Sequence, residues 1–398
     1  LSIDEARIND LDSEHVDADQ LNFSDFQLSE SQDELAISTS KASASNFDSS
    51  VLDAKSLELN DAHYSQNEHG FNTGSRQASA SGFAVDRVDA ETLALENFNI
   101  NKDNSGFGID ASSAKASGLD VEGFGSASSA SLRELDTNIG TDGSSNLNLA
   151  EISAAGLTSH GHTLGNLSGS AIQAQAKSNG DTDANIGGLA FQNYQSDLGS
   201  SASGSINNIQ ASGNTNSLEG KASVGNANLG KTNILGQSIQ SANASELRVN
   251  NKNGQQTANL GSLSAQGFQN DYASVNGIQG NDLSLKRSDQ GQQIAGSLDK
   301  LQLDSAAGMG SQAEQITFNK LSGDSDSSFT NAGFAIENIN MQNASNDIGA
   351  LETLNLNAIE SRKEGSNVDA SLAGMEMLNS SLFGVGSTDS LVANDLSL

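Results

Sequence analysis

The sequence predicts an elongated, all-β repeat protein. Three features carry the prediction: a period of about 36 residues, apolar positions whose spacing alternates between 2 and 3, and 398 residues without a proline.

The period is clearest near the start. VDADQLNFSDFQL from Val16, LDAKSLELNDAHY from Leu52 and VDAETLALENFNI from Val88 align, so that Asp17, Asp53 and Asp89 stand 36 residues apart. Leu21, Leu57 and Leu93 coincide, as do Phe23, Leu59 and Leu95. A second block keeps the same period: ASASNF at Ala42, ASASGF at Ala78 and AKASGL at Ala114. With steps of 35 to 39 it continues through Gly267-Phe268 and Asn338-Ile339 to Glu376-Met377. A fixed period of this length marks a repeat architecture, in which each unit touches mainly its neighbours. The reading is one continuous β-repeat array over 1–398, with about ten units of 36–38 residues, best defined over 6–124 and 240–398. ARINDL at Ala6 aligns with the second block, and Leu396/Leu398 with the first. The chain thus begins and ends in mid-unit and reads as a segment of a longer protein.

Within a unit, the inward candidates run Ala78, Ala80, Phe83, Val85, Val88, Ala90, Leu93, Leu95, Phe98, Ile100. Helical spacing of 3 and 4 does not fit. A flat strand keeps a period of 2, and a step of 3 changes face, so each strand must bend at a bulge or corner. Two architectures follow. One is β-solenoid-like, with short faces, corners and inward residues stacked rung on rung; frequent corners favour it. The other is a long twisted antiparallel sheet of β-hairpins, signalled by turn-prone Asn67–Gly70, Asp103–Gly106, Asn253-Gly254, Gly323–Asp326 and Glu364-Gly365. The 2–3 spacing resembles that of pentapeptide-repeat proteins, which implies a solenoid. A hairpin ribbon with one apolar face would resemble the grooved sheets of AsmA/TamB-like lipid carriers.

Composition narrows the function. Hydrophobic residues are 35% and aromatics 4%, too few for one thick core. They suffice for a thin core spread over many layers, and the periodic Leu, Phe and Ile argue against disorder. Absence of proline suits a backbone whose N–H groups are taken up by ladders. With no cysteine, disulfides, zinc thiolates and cysteine nucleophiles are excluded. Net charge is −31, and residues 1–100 alone carry 20 acidic and 5 basic residues. That excludes nucleic-acid backbone binding, which needs clustered Lys and Arg. No stretch approaches the roughly 20 apolar residues of a membrane-spanning helix. A Cys-free chain rich in Asn, Ser, Gly and Asp resembles bacterial secreted and cell-surface repeat proteins, which implies an extracellular or surface location.

Candidate site residues are few. Asp181 with Asp183, and Asp324 with Asp326, place carboxylates one residue apart, as a weak calcium site would need; calcium is the one cofactor suggested. Among His15, His63, His69, His160 and His162, only the His160-Gly161-His162 spacing suits a metal pair. No nucleophile elbow, P-loop or dinucleotide fingerprint is present, and Gly106-Phe107-Gly108 reads as a turn, so the chain reads as non-enzymatic. Ser- and Asn-rich faces suit ladders between strands, or a surface glycan. The leading expectation is a non-catalytic structural or adhesive spacer of a bacterial surface fibre, whose partners are other proteins or neighbouring protomers. The alternatives are a lipid-carrying β-groove and an acidic nucleic-acid-mimicking rod.

Overall fold

The computed structural model describes residues 1–398 except 14–15, 51, 289–292, 383–384 and 398, with the side chain of Leu382 also left out. His15 lies outside the described residues. The chain is all-β and divides into two units, residues 1–197 and 198–398.

The first unit holds β1 (Ser2–Leu11), β2 (Val16–Glu30), β3 (Glu34–Ser49), β4 (Asp53–Asn67), β5 (Gly70–Val85), β6 (Val88–Lys102), β7 (Gly106–Val121), β8 (Gly125–Gly140), β9 (Ser145–Ser159), β10 (His162–Ala176) and β11 (Asp181–Ser196). The second holds β12 (Gly199–Asn214), β13 (Glu219–Leu229), β14 (Thr232–Ile234), β15 (Gln237–Ile239), β16 (Ser241–Lys252), β17 (Gln255–Gln269), β18 (Ala273–Arg287), β19 (Gln293–Gly308), β20 (Ser311–Asp326), β21 (Asn331–Ser345), β22 (Gly349–Glu364), β23 (Asn367–Leu382) and β24 (Gly386–Ser397).

Among the described residues every pairing is antiparallel, and in the regular stretches each strand bonds to the next in sequence. Of the two architectures open from sequence, this is the hairpin sheet and not the solenoid-like form that the frequent corners favoured. Stacked solenoid coils would pair in parallel. One 36-residue repeat is therefore two strands of 15 or 16 residues with two turns. The sequence signalled one turn in each repeat. The other, such as Asp86-Arg87, falls between strands without an Asn-Gly or Gly-rich cue. Two turn assignments shift: Gly106–Gly108 begins β7, and Gly323–Asp326 ends β20.

The predicted bends are corners rather than bulges. Asp10, Asn46, Gly82, Gly118, Gly156 and Asn193 have positive φ and lie 36 to 38 residues apart. Asp25, Asp61, Asn97, Glu134, Ala171 and Asn208 form a second such series. A bulge inserts an unpaired extra residue and shifts register. Here register is kept: Ser45 pairs with Ser56 and Phe47 with Ala54, so Asn46 and Lys55 are passed over together. The left-handed residue turns the strand without slipping it, so the next side chain returns to the original face after a step of 3. Asn, Asp and Gly dominate because they tolerate this backbone at least cost. Where residues 230–240 interrupt the strands, β12 keeps one register against both β13 and β14. Of the loosely repeating stretch between 125 and 240, only this last part is broken at a corner; β8 to β12 are continuous strands of 15 or 16 residues.

The two faces differ in chemistry. The inward candidates meet across β5 and β6 in register: Ala78 with Leu95, Ala80 with Leu93, Phe83 with Ala90, Val85 with Val88. One row runs Ala42, Leu59, Ala78, Leu95, Ala114, Leu132 across β3 to β8. Each Leu lies beside an Ala, so the small residue is covered by its larger neighbours: Ala80 is 7% exposed and Ala90 5%. The opposite face is polar, with hydroxyl pairs at Ser56–Ser81 (2.6 Å), Thr92–Ser117 (2.6 Å) and Ser245–Ser262 (2.7 Å). In the second unit, Asn319, Asn338 and Asn357 form a ladder at 3.2 and 2.9 Å. Here the Ser- and Asn-rich positions satisfy one another between strands, as anticipated.

No second layer covers the apolar face among the described residues. Among the described residues no large side chain is fully buried, and what is well buried is chiefly alanine.

Candidate functional site

The corner rows shape the apolar face. Across them, side chains on neighbouring strands tie the bend: Asn46 to Asp19 (2.6 Å), Ser40 to Asp25 (2.7 Å), Arg76 to Asp61 (2.5 Å), Asn97 to Ser112 (3.0 Å) and Lys320 to Glu337 (2.5 Å). Asn343 bonds Glu314 and Asn379 bonds Glu352 in the same way. All are exposed, and such pairs contribute little individually to stability. Their consequence is geometric: polar side chains gather along the bend and leave the angle of the sheet apolar.

In the second unit that angle holds a cleft of about 650 Å³. Val275, Ala313, Ile316, Met341, Leu351 and Met377 line it, drawn from β18 and from β20 to β23. Ala313 and Ile316 lie on either side of Glu314, which stands across from the left-handed Asn343, and Met341 and Ala344 lie on either side of Asn343 itself. From β18 to β23 is five strand spacings, about 24 Å. Flexible Met at the centre suits an irregular occupant. The first unit has a smaller cleft of about 380 Å³ on the equivalent hairpin flank. Leu119, Phe124, Ala127, Leu157, Leu164 and Tyr194 line it. Both volumes lie within the range of small-molecule sites. Elsewhere on the apolar face of the second unit Val249, Leu285 and Phe334 are exposed by 43%, 47% and 46%.

Sequence reasoning found the apolar positions but not the clefts. The signal that could have found them is the Asn, Asp or Gly of each corner, two residues beyond a paired Ala or Leu.

The carboxylates singled out for calcium sit at hairpin ends. Asp181 opens β11, its Oδ2 accepting from Asn179 Nδ2 (2.8 Å), and Asp183 pairs with Gln175. Asp324 pairs with Ala295 and Gly333. Asp326 organises a turn. Its Oδ1 accepts from Ser328 N (3.1 Å), Ser328 Oγ (2.9 Å) and Thr330 N (2.9 Å), and its Oδ2 from Asn331 N (3.0 Å) and Nδ2 (2.9 Å). Among the described residues no three His, Asp or Glu side chains gather as a cation would require. His160 lies in the β9–β10 turn with Nδ1 2.8 Å from Ser159 Oγ, while His162 opens β10 and meets Tyr194. Asp17, Asp53 and Asp89, which mark the period, come into rows with further acids: Asp17 opposite Asp48 opposite Asp53, and Asp89 opposite Asp120. The Asp53 charge and a hydrogen bond to it raise the Asp48 pKa, with desolvation and Asp17 adding.

Desolvation opposes ionisation of Asp326, but the donors on Ser328, Thr330 and Asn331 outweigh it and bring the pKa down to about 2. A folded-state pKa below the usual 3.8 favours the folded turn above pH 3.8, and the preference is lost as pH falls through about 2. Amide protection at Ser328, Thr330 and Asn331 is therefore expected to persist at pH 4 and to vanish near pH 2. In Asp326→Ala it should be weak at both. Carboxyl NMR titration checks the midpoint, and a value near 4 would contradict the arrangement.

No family model matches the chain, and no curated protein or solved structure matches it either.

Proposed function

We infer that this chain is a carrier of hydrocarbon chains, holding them against the apolar face of its sheet. The observation that carries the reading is that this face, continuous from strand to strand within each unit, has no second layer over it among the described residues. Leaving it in water is costly, at about 25 cal/mol per Å² of apolar surface, and exposed patches of this kind mark sites of interaction. Two features of the sequence count against a lipid groove: few aromatics, and many Ser, Asn and Gly at strand positions. Ser and Asn largely fall on the opposite, polar face, and the second objection loses force. The shortage of aromatics is offset in the larger cleft, where Met, Leu and Ile supply apolar surface and Ala leaves room for an occupant. Cell-surface or extracellular location suits such a role and belongs to the same proposal.

The test is native mass spectrometry of the full chain, purified without denaturant. Long-chain lipid should accompany it. After delipidation it should bind the hydrocarbon probe N-phenyl-1-naphthylamine with enhanced fluorescence. A chain that carries no lipid and leaves the probe dark would overturn the reading. That outcome would favour the mechanical spacer instead, which the hydroxyl and Asn ladders of the polar face also suit.

A further inference from the structure

The cleft of the first unit carries a histidine–tyrosine pair at one end. His162 Nδ1 lies 2.8 Å from the Tyr194 hydroxyl, and the two rings stack at 5.9 Å and 17°. Phe191 meets the Tyr194 ring edge-on at 6.3 Å, so the tyrosine is fixed from two sides. Ser159, opposite His162 in the β9–β10 hairpin, bonds the Phe124 carbonyl through its Oγ. Leu119, Leu157 and Leu164 make the remainder apolar. No Lys, Arg, Asp or Glu is among the described lining residues.

We propose that this cleft binds a neutral single-chain amphiphile, its hydrocarbon tail on the leucines and a hydroxyl-bearing head group at His162 and Tyr194. The proposal rests on the reading of the apolar face as a hydrocarbon site and adds the class of head group. A neutral imidazole that accepts the Tyr194 O–H at Nδ1 keeps an N–H donor at Nε2, while the phenol oxygen still accepts. The pair thus offers one donor and one acceptor, which a hydroxyl satisfies with both its functions. A carboxylate or phosphate only accepts, carries charge, and finds no cation here to offset the cost of leaving water. A chain of net charge −31 adds no general attraction for an anion. The volume of about 380 Å³ admits one chain rather than a diacyl lipid.

Displacement of N-phenyl-1-naphthylamine from the delipidated full chain tests this with monodecanoylglycerol, decanoate and decyl phosphate. Monodecanoylglycerol should displace the probe at the lowest concentration. Tyr194→Phe and His162→Gln should each weaken it three- to tenfold, with decanoate unaffected. A diazirine on the tail should crosslink within residues 119–164. Decanoate or decyl phosphate binding as tightly as the glyceride, or the two variants weakening all three ligands equally, would overturn the head-group assignment. Crosslinks confined to the second unit would overturn it as well. These failures are separable from failure of the hydrocarbon reading, in which the probe itself would not bind.

Discussion

A Met341→Asp variant is expected to bind hydrocarbon in the second unit at least about tenfold more weakly, a loss of roughly 1.4 kcal/mol or more, while keeping its fold. Met341 sits on β21 opposite Leu354 and lines the cleft beside the corner at Asn343. Its side chain is only half-buried, because nothing lies over this face. An aspartate there stays hydrated in the ligand-free sheet, so the strand pairing tolerates it. An incoming chain must strip that water from the carboxylate or leave part of the cleft wet, and either outcome costs affinity. Met341→Leu, which keeps an apolar side chain of similar volume, should change affinity by less than about threefold. Isothermal titration with a long-chain probe, with circular dichroism to confirm the strands, makes the comparison. Equal binding by Met341→Asp and wild type would mean that the cleft is not where hydrocarbon lies. Loss in both variants would point to shape rather than polarity.

The fold was legible in the sequence to the extent that local spacing encodes it. Ala78, Ala80, Phe83, Val85 and their partners Leu95, Leu93, Ala90 and Val88 were assigned to one face by steps of 2 and 3, and they meet in register. The need for a bend was legible for the same reason. Its kind was not, because a step of 3 arises equally from an inserted residue and from a left-handed one. Register decides between these, and register is a property of two strands. Solenoid and hairpin sheet were likewise open. Both stack like residues across a repeat, and only the direction of the neighbouring strand separates them. Turns lacking Gly or Asn, such as Asp86-Arg87, left no mark that would have halved the repeat into two strands. The clefts were the least legible. Ala313 and Met341 are 28 positions apart in the sequence and line one cleft because β20 and β21 bend along the same row. The pairing of His162 with Tyr194, 32 residues on, depends on the β10–β11 hairpin in the same way.

Gly70→Ala should destabilise the first unit by about 2–4 kcal/mol, the largest effect expected of any single methyl group in it. Gly70 follows the β4–β5 turn with φ of +154°, and a Cβ there would sit 1.7 Å from the Lys102 carbonyl oxygen and 2.9 Å from the Asp103 Cα. Both are backbone atoms of the next hairpin, held by the ladder in which Lys102 faces Phe71. Relief requires β6 to move away from β5, which breaks pairing along the row. One period on, Gly106 repeats the arrangement, with φ of +156° and the Ile139 carbonyl at 2.1 Å. The turn that ends each of these hairpins thus depends on close approach of the next hairpin. Gly82→Ala provides the control. Its φ of +54° is also left-handed, but the new methyl would meet the flexible Lys55 side chain at 2.8 Å, so only the backbone preference of about 1–2 kcal/mol is lost. Urea unfolding ranks the variants, and hydrogen exchange locates the damage. Gly70→Ala should lose protection in β5 and β6 with little change beyond β8, since stability in a repeat array is passed between neighbours. Equal costs for Gly70→Ala and Gly82→Ala would show that φ alone sets the penalty and that the hairpins are not in contact at this point.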